Sequence, residues 1–158
     1  MILNDFEKSD YEELKKLVNS LSESNNVYIK EALVDNDYCP VYILEKVADK
    51  EEDEDVIAKI CLNEKCPIHI LEKFSNYKSN YIKASVLSNK NCSIEILEKL
   101  SNEDYEIVRV AVVKNENCPY YILKKLYKNN RDVYSEEYDE EYLNLITSHP
   151  NWKLNEFQ

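Results

Sequence analysis

The amino-acid sequence predicts an all-α protein, a short α-solenoid of about four two-helix repeats. Cysteines recur at Cys39, Cys66, Cys92 and Cys118, at spacings of 27, 26 and 26 residues. A fixed period of this length is typical of repeat arrays. Apolar residues follow helical spacing both before and after each cysteine. Two short helices per period cannot bury their apolar faces alone, so they are stable only if consecutive repeats stack.

The helix predicted after each cysteine has one apolar face. Apolar residues recur at i, i+1 and i+4, as in Ile96, Leu97 and Leu100, and the pair Glu98-Lys99 takes the opposite face. The other repeats show the same spacing in Ile43, Leu44 and Val47, in Ile70, Leu71 and Phe74, and in Ile122, Leu123 and Leu126. These residues are predicted to form the core.

The helix predicted before each cysteine closes on an asparagine. The four segments are VYIKEALVDN, EDVIAKICLN, NYIKASVLSN and EIVRVAVVKN, and they end at Asn36, Asn63, Asn89 and Asn115. The chain contains no glycine, so a turn that needs a positive φ must use Asn or Asp. We therefore expect these asparagines to end the helices.

The chain is predicted to be a single repeat domain over residues 1–158. Residues 1–24 form an N-terminal cap helix, in which Leu14, Leu17, Val18 and Leu21 have helical spacing. Residues 25–127 form the repeats, residues 128–142 an insertion, and residues 143–158 a partial repeat or cap. In this last segment Trp152 stands in the cysteine slot.

The cysteines are predicted to be buried, reduced structural thiols. Proline follows three of them and would take the first helical position, which places the cysteine at the helix cap. Equivalent positions in stacked helices lie roughly 8–10 Å apart, too far for four sulfurs to share one metal ion. We therefore expect neither a metal nor another cofactor.

Composition indicates a cytoplasmic binding protein that is not an enzyme. The net charge of −11 disfavours nucleic acid and anionic membranes as partners, because phosphates require clustered Lys and Arg. The chain begins without a secretory signal pattern and has no apolar run of membrane-spanning length. His69 and His149 are its two histidines, and neither belongs to a nucleophile–base pattern.

The sequence VRVAVVKN, residues 108–115, followed by Cys118-Pro119 and Ile122-Leu123, resembles the leucine-rich repeat variant family. This resemblance covers roughly residues 27–126 and implies alternating α and 3₁₀ helices in a right-handed superhelix. Two positions depart from the family pattern: cysteine stands where threonine is usual, and Asp37, Glu64, Lys90 and Glu116 stand where proline is usual. One family member has an iron–sulfur domain ahead of its repeats, but residues 1–38 of this chain contain no cysteine.

Two groups of residues are candidates for partner binding. The variable column, one position per repeat, is solvent-facing by periodicity and contains Tyr42, His69, Glu95 and Tyr121. The insertion separates Cys118 from Trp152 by 34 residues where the period is 26, and its candidate residues are Tyr134, Glu136, Glu137, Tyr138, Glu140, Glu141 and Tyr142. Aromatic side chains at such positions serve as interface anchors. Alternatively, the column merely covers apolar surface and the insertion merely lengthens a helix.

Two charged groups leave alternatives open. Lys30, Lys83 and Arg109 could bind a partner's acidic groups or could pair with glutamates of adjacent repeats. The acidic run at residues 49–55 is expected to be a solvated loop.

Three functions follow from these observations. The favoured one is a non-enzymatic protein-interaction module whose partner is another protein. The second is an acidic inhibitor, of the immunity type or a nucleic-acid mimic, which would block a basic active site with residues 51–55 and 134–142. The third is a metal- or redox-linked cysteine protein. The oligomeric state is open.

Overall fold

The structure, a computed structural model, describes residues 5–131 and 136–153, and the side chains of residues 12–129 and 140–152. Within these ranges the chain forms eleven helices and no strand, which confirms the all-α prediction. The helices are α1 (Asp5–Ser22), α2 (Val27–Val34), α3 (Val41–Lys50), α4 (Glu54–Leu62), α5 (Ile68–Phe74), α6 (Asn80–Ser88), α7 (Ile94–Leu100), α8 (Glu106–Lys114), α9 (Tyr120–Arg131), α10 (Glu136–Ser148) and α11 (Pro150–Lys153). All are α-helices, so no described segment takes the 3₁₀ form that the family resemblance implied.

The predicted apolar faces are buried. Ile43, Ile70, Ile96 and Ile122 are at most 3% exposed, and the leucines that follow them are fully buried. They belong to one continuous core that includes the cysteines and the apolar residues of α2, α4, α6 and α8. None of the described helices combines the length and apolar character needed to cross a membrane.

The prediction that cysteine caps these helices is wrong by one residue. Pro40 has φ −66° and ψ 141°, and Pro67 has φ −67° and ψ 150°, so the proline itself is the non-helical N-cap. In the third repeat Ser93 takes this place, and its hydroxyl accepts the backbone N–H of Ile96. The cysteine therefore lies before the cap, where its small side chain is buried.

A ladder of asparagine side chains connects successive repeats. Asn89 Nδ2 donates to the backbone oxygens of Cys61 and Asn63, at 2.6 and 2.9 Å. Asn63 and Asn115 make the same pair of bonds one period earlier and one period later. The oxygen of each asparagine accepts the backbone N–H two residues ahead, as in the 2.7 Å bond from Asn91 to Asn89. We call α2, α4, α6, α8 and α10 the ladder helices.

His149 is the last rung of this ladder. Its Nδ1 accepts the backbone N–H of Asn151 at 3.1 Å, and its Nε2 lies 3.1 Å from the backbone oxygen of Asn115. Because Nδ1 is an acceptor, Nε2 carries the proton and donates, which is the arrangement of a neutral imidazole. His149 therefore stands in for asparagine at this rung.

The ladder asparagines do not supply left-handed backbone, contrary to the prediction. No described residue has a positive φ, and Asn63, for example, has φ −63° and ψ 126°. The asparagines follow the helices as predicted, but they are needed for their side-chain amides and not for left-handed backbone.

The ladder helices pack on one another in chain order. The most extensive contacts are α4 with α6, α6 with α8, and α2 with α4, and α10 packs on α8. The surface helices α3, α5 and α7 each contact the ladder helix before and the ladder helix after them. At one end α1 packs on α2 and α3, and at the other end α9 packs on α10 and α11.

The insertion adds length to two helices. α9 has 12 residues where α5 and α7 have 7, and α10 has 13 where the other ladder helices have 8 or 9. Trp152 fills the cysteine slot, and its ring lies against Tyr120 and Tyr127 at 5.3 and 5.0 Å.

Candidate functional site

The variable column lies on the first turn of each surface helix and of α9. Tyr42, His69, Glu95 and Tyr121 are all exposed, which confirms the solvent-facing prediction. The residue immediately before each of the first three is an aliphatic side chain that is also exposed: Val41 at 40%, Ile68 at 49% and Ile94 at 47%. Sequence reasoning missed these aliphatic residues, although their period of 26 or 27 residues was visible.

Side chains of adjacent repeats meet along this column. His69 Nε2 lies 3.5 Å from Glu45 Oε1, and the Tyr121 hydroxyl donates to Glu98 Oε2 at 3.3 Å. Desolvation raises the pKa of Tyr121, and the negative charge of Glu98 adds to this effect. The pKa of Glu95 is lowered because its carboxylate accepts its own backbone N–H and the Ser93 hydroxyl at the start of α7.

We define the surface stripe as the variable column, the aliphatic residues beside it, and the glutamates one turn further along the helices. Its members are Val41, Tyr42, Glu45, Ile68, His69, Glu72, Ile94, Glu95, Glu98 and Tyr121.

The lysines beside these glutamates bind the preceding repeat. Lys99 Nζ donates to the backbone oxygen of Ser75 at 3.2 Å and to Asn76 Oδ1 at 2.6 Å, at the end of the preceding surface helix. Lys73 makes two comparable bonds to backbone oxygens at the end of α3, and Lys46 and Lys125 follow the same pattern. Because these ammonium groups are held by the preceding repeat, the glutamates dominate the charge of the stripe.

The basic column is used inside the protein. Lys30 pairs with Glu51, and Lys83 Nζ lies 2.8 Å from Glu103 Oε1; each glutamate lies just before the next ladder helix. Arg109 Nη1 donates instead to the backbone oxygens of Glu103 and Asp104, at 2.9 and 2.6 Å. Pairing within the protein is therefore confirmed for both lysines, and Arg109 binds carbonyls.

The acidic run at residues 49–55 is exposed at most of its positions, as expected of a solvated segment. Three of its side chains also make contacts within the protein. The Glu51 carboxylate that pairs with Lys30 also accepts the backbone N–H of Asp53. Asp53 caps α4 by accepting the backbone N–H groups of Asp55 and Val56. Glu54 accepts the Ser79 hydroxyl at 2.7 Å.

The structure describes only some of the insertion residues that were predicted to bind a partner. Tyr134 lies outside the described residues, and the side chains of Glu136, Glu137 and Tyr138 lie outside them as well. Glu140 and Glu141 are exposed on α10.

Tyr142 is 6% exposed and belongs to the core, so it is not the exposed anchor that was predicted. Burial raises the pKa of its hydroxyl, against the opposing charge of Arg109. It lies seven residues before His149, the position that Val56, Ile82 and Val108 occupy before their asparagines. Counting back from His149 would have revealed the burial.

All five cysteines are buried free thiols. Desolvation raises the pKa of Cys66, Cys92 and Cys118 to about 12 each, and it raises that of Cys61 further. At neutral pH they are therefore protonated and unreactive, since the thiolate is both the nucleophile and the metal ligand.

One cluster of potential metal ligands is found among the described residues. Ligand atoms of Glu31, Asp53 and Asp55 lie within 4.8 Å of one another, and no cysteine belongs to this group. Asp53 is already engaged as the cap of α4.

Comparison of the chain with protein-family models, curated proteins and solved structures finds no match.

Proposed function

We propose that the chain is a right-handed α-solenoid of the leucine-rich repeat variant type that works as a non-enzymatic, cytoplasmic protein-interaction module. The observation that carries this proposal is the surface stripe, in which exposed aliphatic and aromatic side chains recur in register on α3, α5, α7 and α9. Val41, Ile68 and Ile94 recur at one helix position instead of being scattered singly, and grouped exposed apolar side chains mark interaction sites.

The stripe favours a basic partner. Its apolar residues lie beside Glu45, Glu72 and Glu98, and the neighbouring lysines are held by the preceding repeat. A complementary surface would present apolar side chains flanked by Lys or Arg, which fixes orientation and speeds association.

The two other functions have less support. Glu51 and Asp53, which the acidic-inhibitor hypothesis needs, are bound within the protein. The thiols that a metal or redox role needs are buried and protonated at neutral pH. The role of Glu136, Glu137 and Tyr138 in an inhibitor stays a prediction.

A binding comparison between two faces tests the proposal. Proteins captured from a cell lysate by the purified chain are identified, expressed separately and titrated against three forms of it. The stripe variant carries Tyr42→Ala, Ile68→Ser and Tyr121→Ala. The matched control carries Tyr81→Ala and Tyr105→Ala, which remove exposed tyrosines from another part of the surface. Loss of these three anchors, at roughly 1–2 kcal/mol each, should weaken the binding of a true partner by more than about 100-fold.

The control should bind like the parent chain, and all three should unfold at similar temperatures. If the control variant binds the partner more weakly than the parent chain does and the stripe variant does not, the binding face lies elsewhere. That result would contradict the assignment of the stripe.

A further inference from the structure

A groove of about 590 Å³ lies between α1 and α2. One wall is formed by Leu14, Val18 and Leu21 of α1, and the other by residues of α2 and of the turn after it. We call this second wall the α2 wall. It includes Tyr28, Ile29, Ala32 and Leu33 of α2 and Asn36 in the turn after it. Tyr28 and Tyr38 at its edge are 79% and 88% exposed.

In the register of the repeats, this groove corresponds to the position that a preceding ladder helix takes in the later repeats. The Ser22 hydroxyl donates to Asn19 O just as Ser75 and Ser101 donate to the residue three before them, so α1 aligns with the surface helices α5 and α7. Leu17 then corresponds to Ile70 and Ile96. Leu17 is 56% exposed, whereas both isoleucines are 3% exposed because ladder helices cover them.

The α2 side of the groove is uncovered in the same way. Ile29 is 37% exposed, whereas its equivalents Val56, Ile82 and Val108 are fully buried. Each of these three is covered by the packing of a preceding ladder helix on its own helix.

Asn36 is a ladder rung without its acceptors. Its oxygen accepts the backbone N–H of Tyr38 at 2.8 Å, as in every other rung. No described residue accepts a hydrogen bond from its Nδ2, whereas the amides of Asn63, Asn89 and Asn115 each reach two carbonyls of the preceding repeat. Asn36 is exposed, and these three are 3–8% exposed.

The α2 wall closely matches the face of α8 that receives α6. In register with the ladder, Tyr28, Ile29, Ala32, Leu33 and Asn36 align with Ile107, Val108, Ala111, Val112 and Asn115. α6 packs on α8 and offers the oxygens of Leu87 and Asn89 to Asn115. A helix with the chemistry of α6 therefore has the apolar face and the acceptors that the groove lacks.

The charge at the edge of the groove favours a basic residue on the bound helix. At one junction the residue after a ladder asparagine pairs with its equivalent in the neighbouring repeat, since Lys90 Nζ lies 2.6 Å from Glu64 Oε2. The equivalent residue at the groove is Asp37, which is exposed. A lysine one residue beyond the acceptor carbonyls of an incoming helix, as Lys90 is in the α6 segment, would pair with Asp37.

We infer that the groove between α1 and α2 binds a basic amphipathic helix of a partner protein in the position that α6 takes against α8. Asn36 donates to the helix's last carbonyls, Ile29 and Leu33 cover its apolar face, and Asp37 pairs with a lysine after it. This surface is distinct from the surface stripe, so the inference goes beyond the proposed function and can fail independently of it.

A labelled synthetic peptide of residues 79–91, SNYIKASVLSNKN, is the probe, and fluorescence anisotropy with the full chain is the measurement. Saturable binding is expected. Ala32→Arg should weaken it at least about tenfold, because the new side chain fills the groove and repels the basic peptide. Ser88→Arg, which adds the same charge at an exposed position of α6, is the matched control and should leave binding unchanged.

A charge exchange identifies the orientation of the helix. A peptide with Lys90→Glu should bind the parent chain several-fold more weakly, and Asp37→Lys in the protein should restore its affinity. Equal binding to the Ala32→Arg chain, no saturable binding, or no rescue by the exchange would each overturn the inference. So would a concentration-dependent dimer that Ala32→Arg abolishes, because a second copy would then be the occupant.

Discussion

Asn89 shows how much a single ladder residue contributes. Its oxygen fixes the turn by accepting the backbone N–H of Asn91, while its Nδ2 joins two carbonyls of the preceding repeat. The side chain is 3% exposed, and buried polar groups are costly unless they are hydrogen-bonded. Without this amide the Cys61 carbonyl would lose a donor, whereas the Asn63 carbonyl would keep the backbone N–H of Cys66.

Replacing Asn89 with Ala should lower the free energy of unfolding by about 2–4 kcal/mol, because two bonds are lost and the Cys61 carbonyl loses a donor. Asn36→Ala is the matched control, since it removes the same turn contact from an exposed rung. It should cost only about 0.5–1.5 kcal/mol. Urea unfolding followed by circular dichroism measures both, and equal losses would show that the bonds between repeats contribute nothing.

At this scale the sequence predicted the positions of the asparagines but not their role. An asparagine after a helix looks the same whether it supplies left-handed backbone or a side-chain amide. His149 replaces asparagine at the last rung, and this replacement could have indicated the side-chain role, because histidine can donate and accept like an amide. A need for left-handed backbone would not explain why histidine replaces asparagine at the last rung.

At the scale of helices, the surface helices are too short to be stable alone. α5 and α7 have seven residues each, and isolated helices shorter than about 12–15 residues are marginal in water. The end of each is bound by a lysine from the helix one repeat further along the chain. Lys99, for example, binds Ser75 and Asn76 after α5. A positive charge is stabilising at that end because helix C-termini carry partial negative charge.

Lys99→Met should therefore weaken α5, which lies 25 or more residues earlier in the chain. We expect a loss of about 1–2 kcal/mol in unfolding free energy, from charge-assisted hydrogen bonds and the helix dipole together. Hydrogen exchange should show faster exchange of α5 amides than in the parent chain. Lys78→Met, at an exposed position beside the same helix, serves as the control, and similar exchange in both variants would contradict this role for Lys99.

The helices were predictable because their apolar spacing is regular, whereas the cap at Pro40 depended on geometry and the burial of Tyr142 on a sequence register that the prediction did not use. Pro40 could have been the first helical residue or the cap, and only its ψ of 141° decides this. Tyr142 was grouped with exposed residues because its neighbours Glu140 and Glu141 are acidic. Its register with Val108 places it in the core instead.

For the whole molecule, the proposed stacking predicts an elongated shape. A compact chain of this length would have a radius of gyration of about 15 Å. If the repeats stack as a solenoid, small-angle scattering of the monomer should give a clearly larger value and an asymmetric distance distribution. A radius near that of a compact globule would contradict the solenoid, although the all-α fold would stand.

The direction of the ladder bonds has a consequence for synthesis of the chain. Each rung donates to carbonyls that lie 26–29 residues earlier, or 34 residues earlier for His149. During translation the acceptors therefore always leave the ribosome before their donor, and folding can proceed from the N-terminus as synthesis does. Each new repeat finds its docking surface already formed, so the nascent chain need never expose more than about one unpaired repeat.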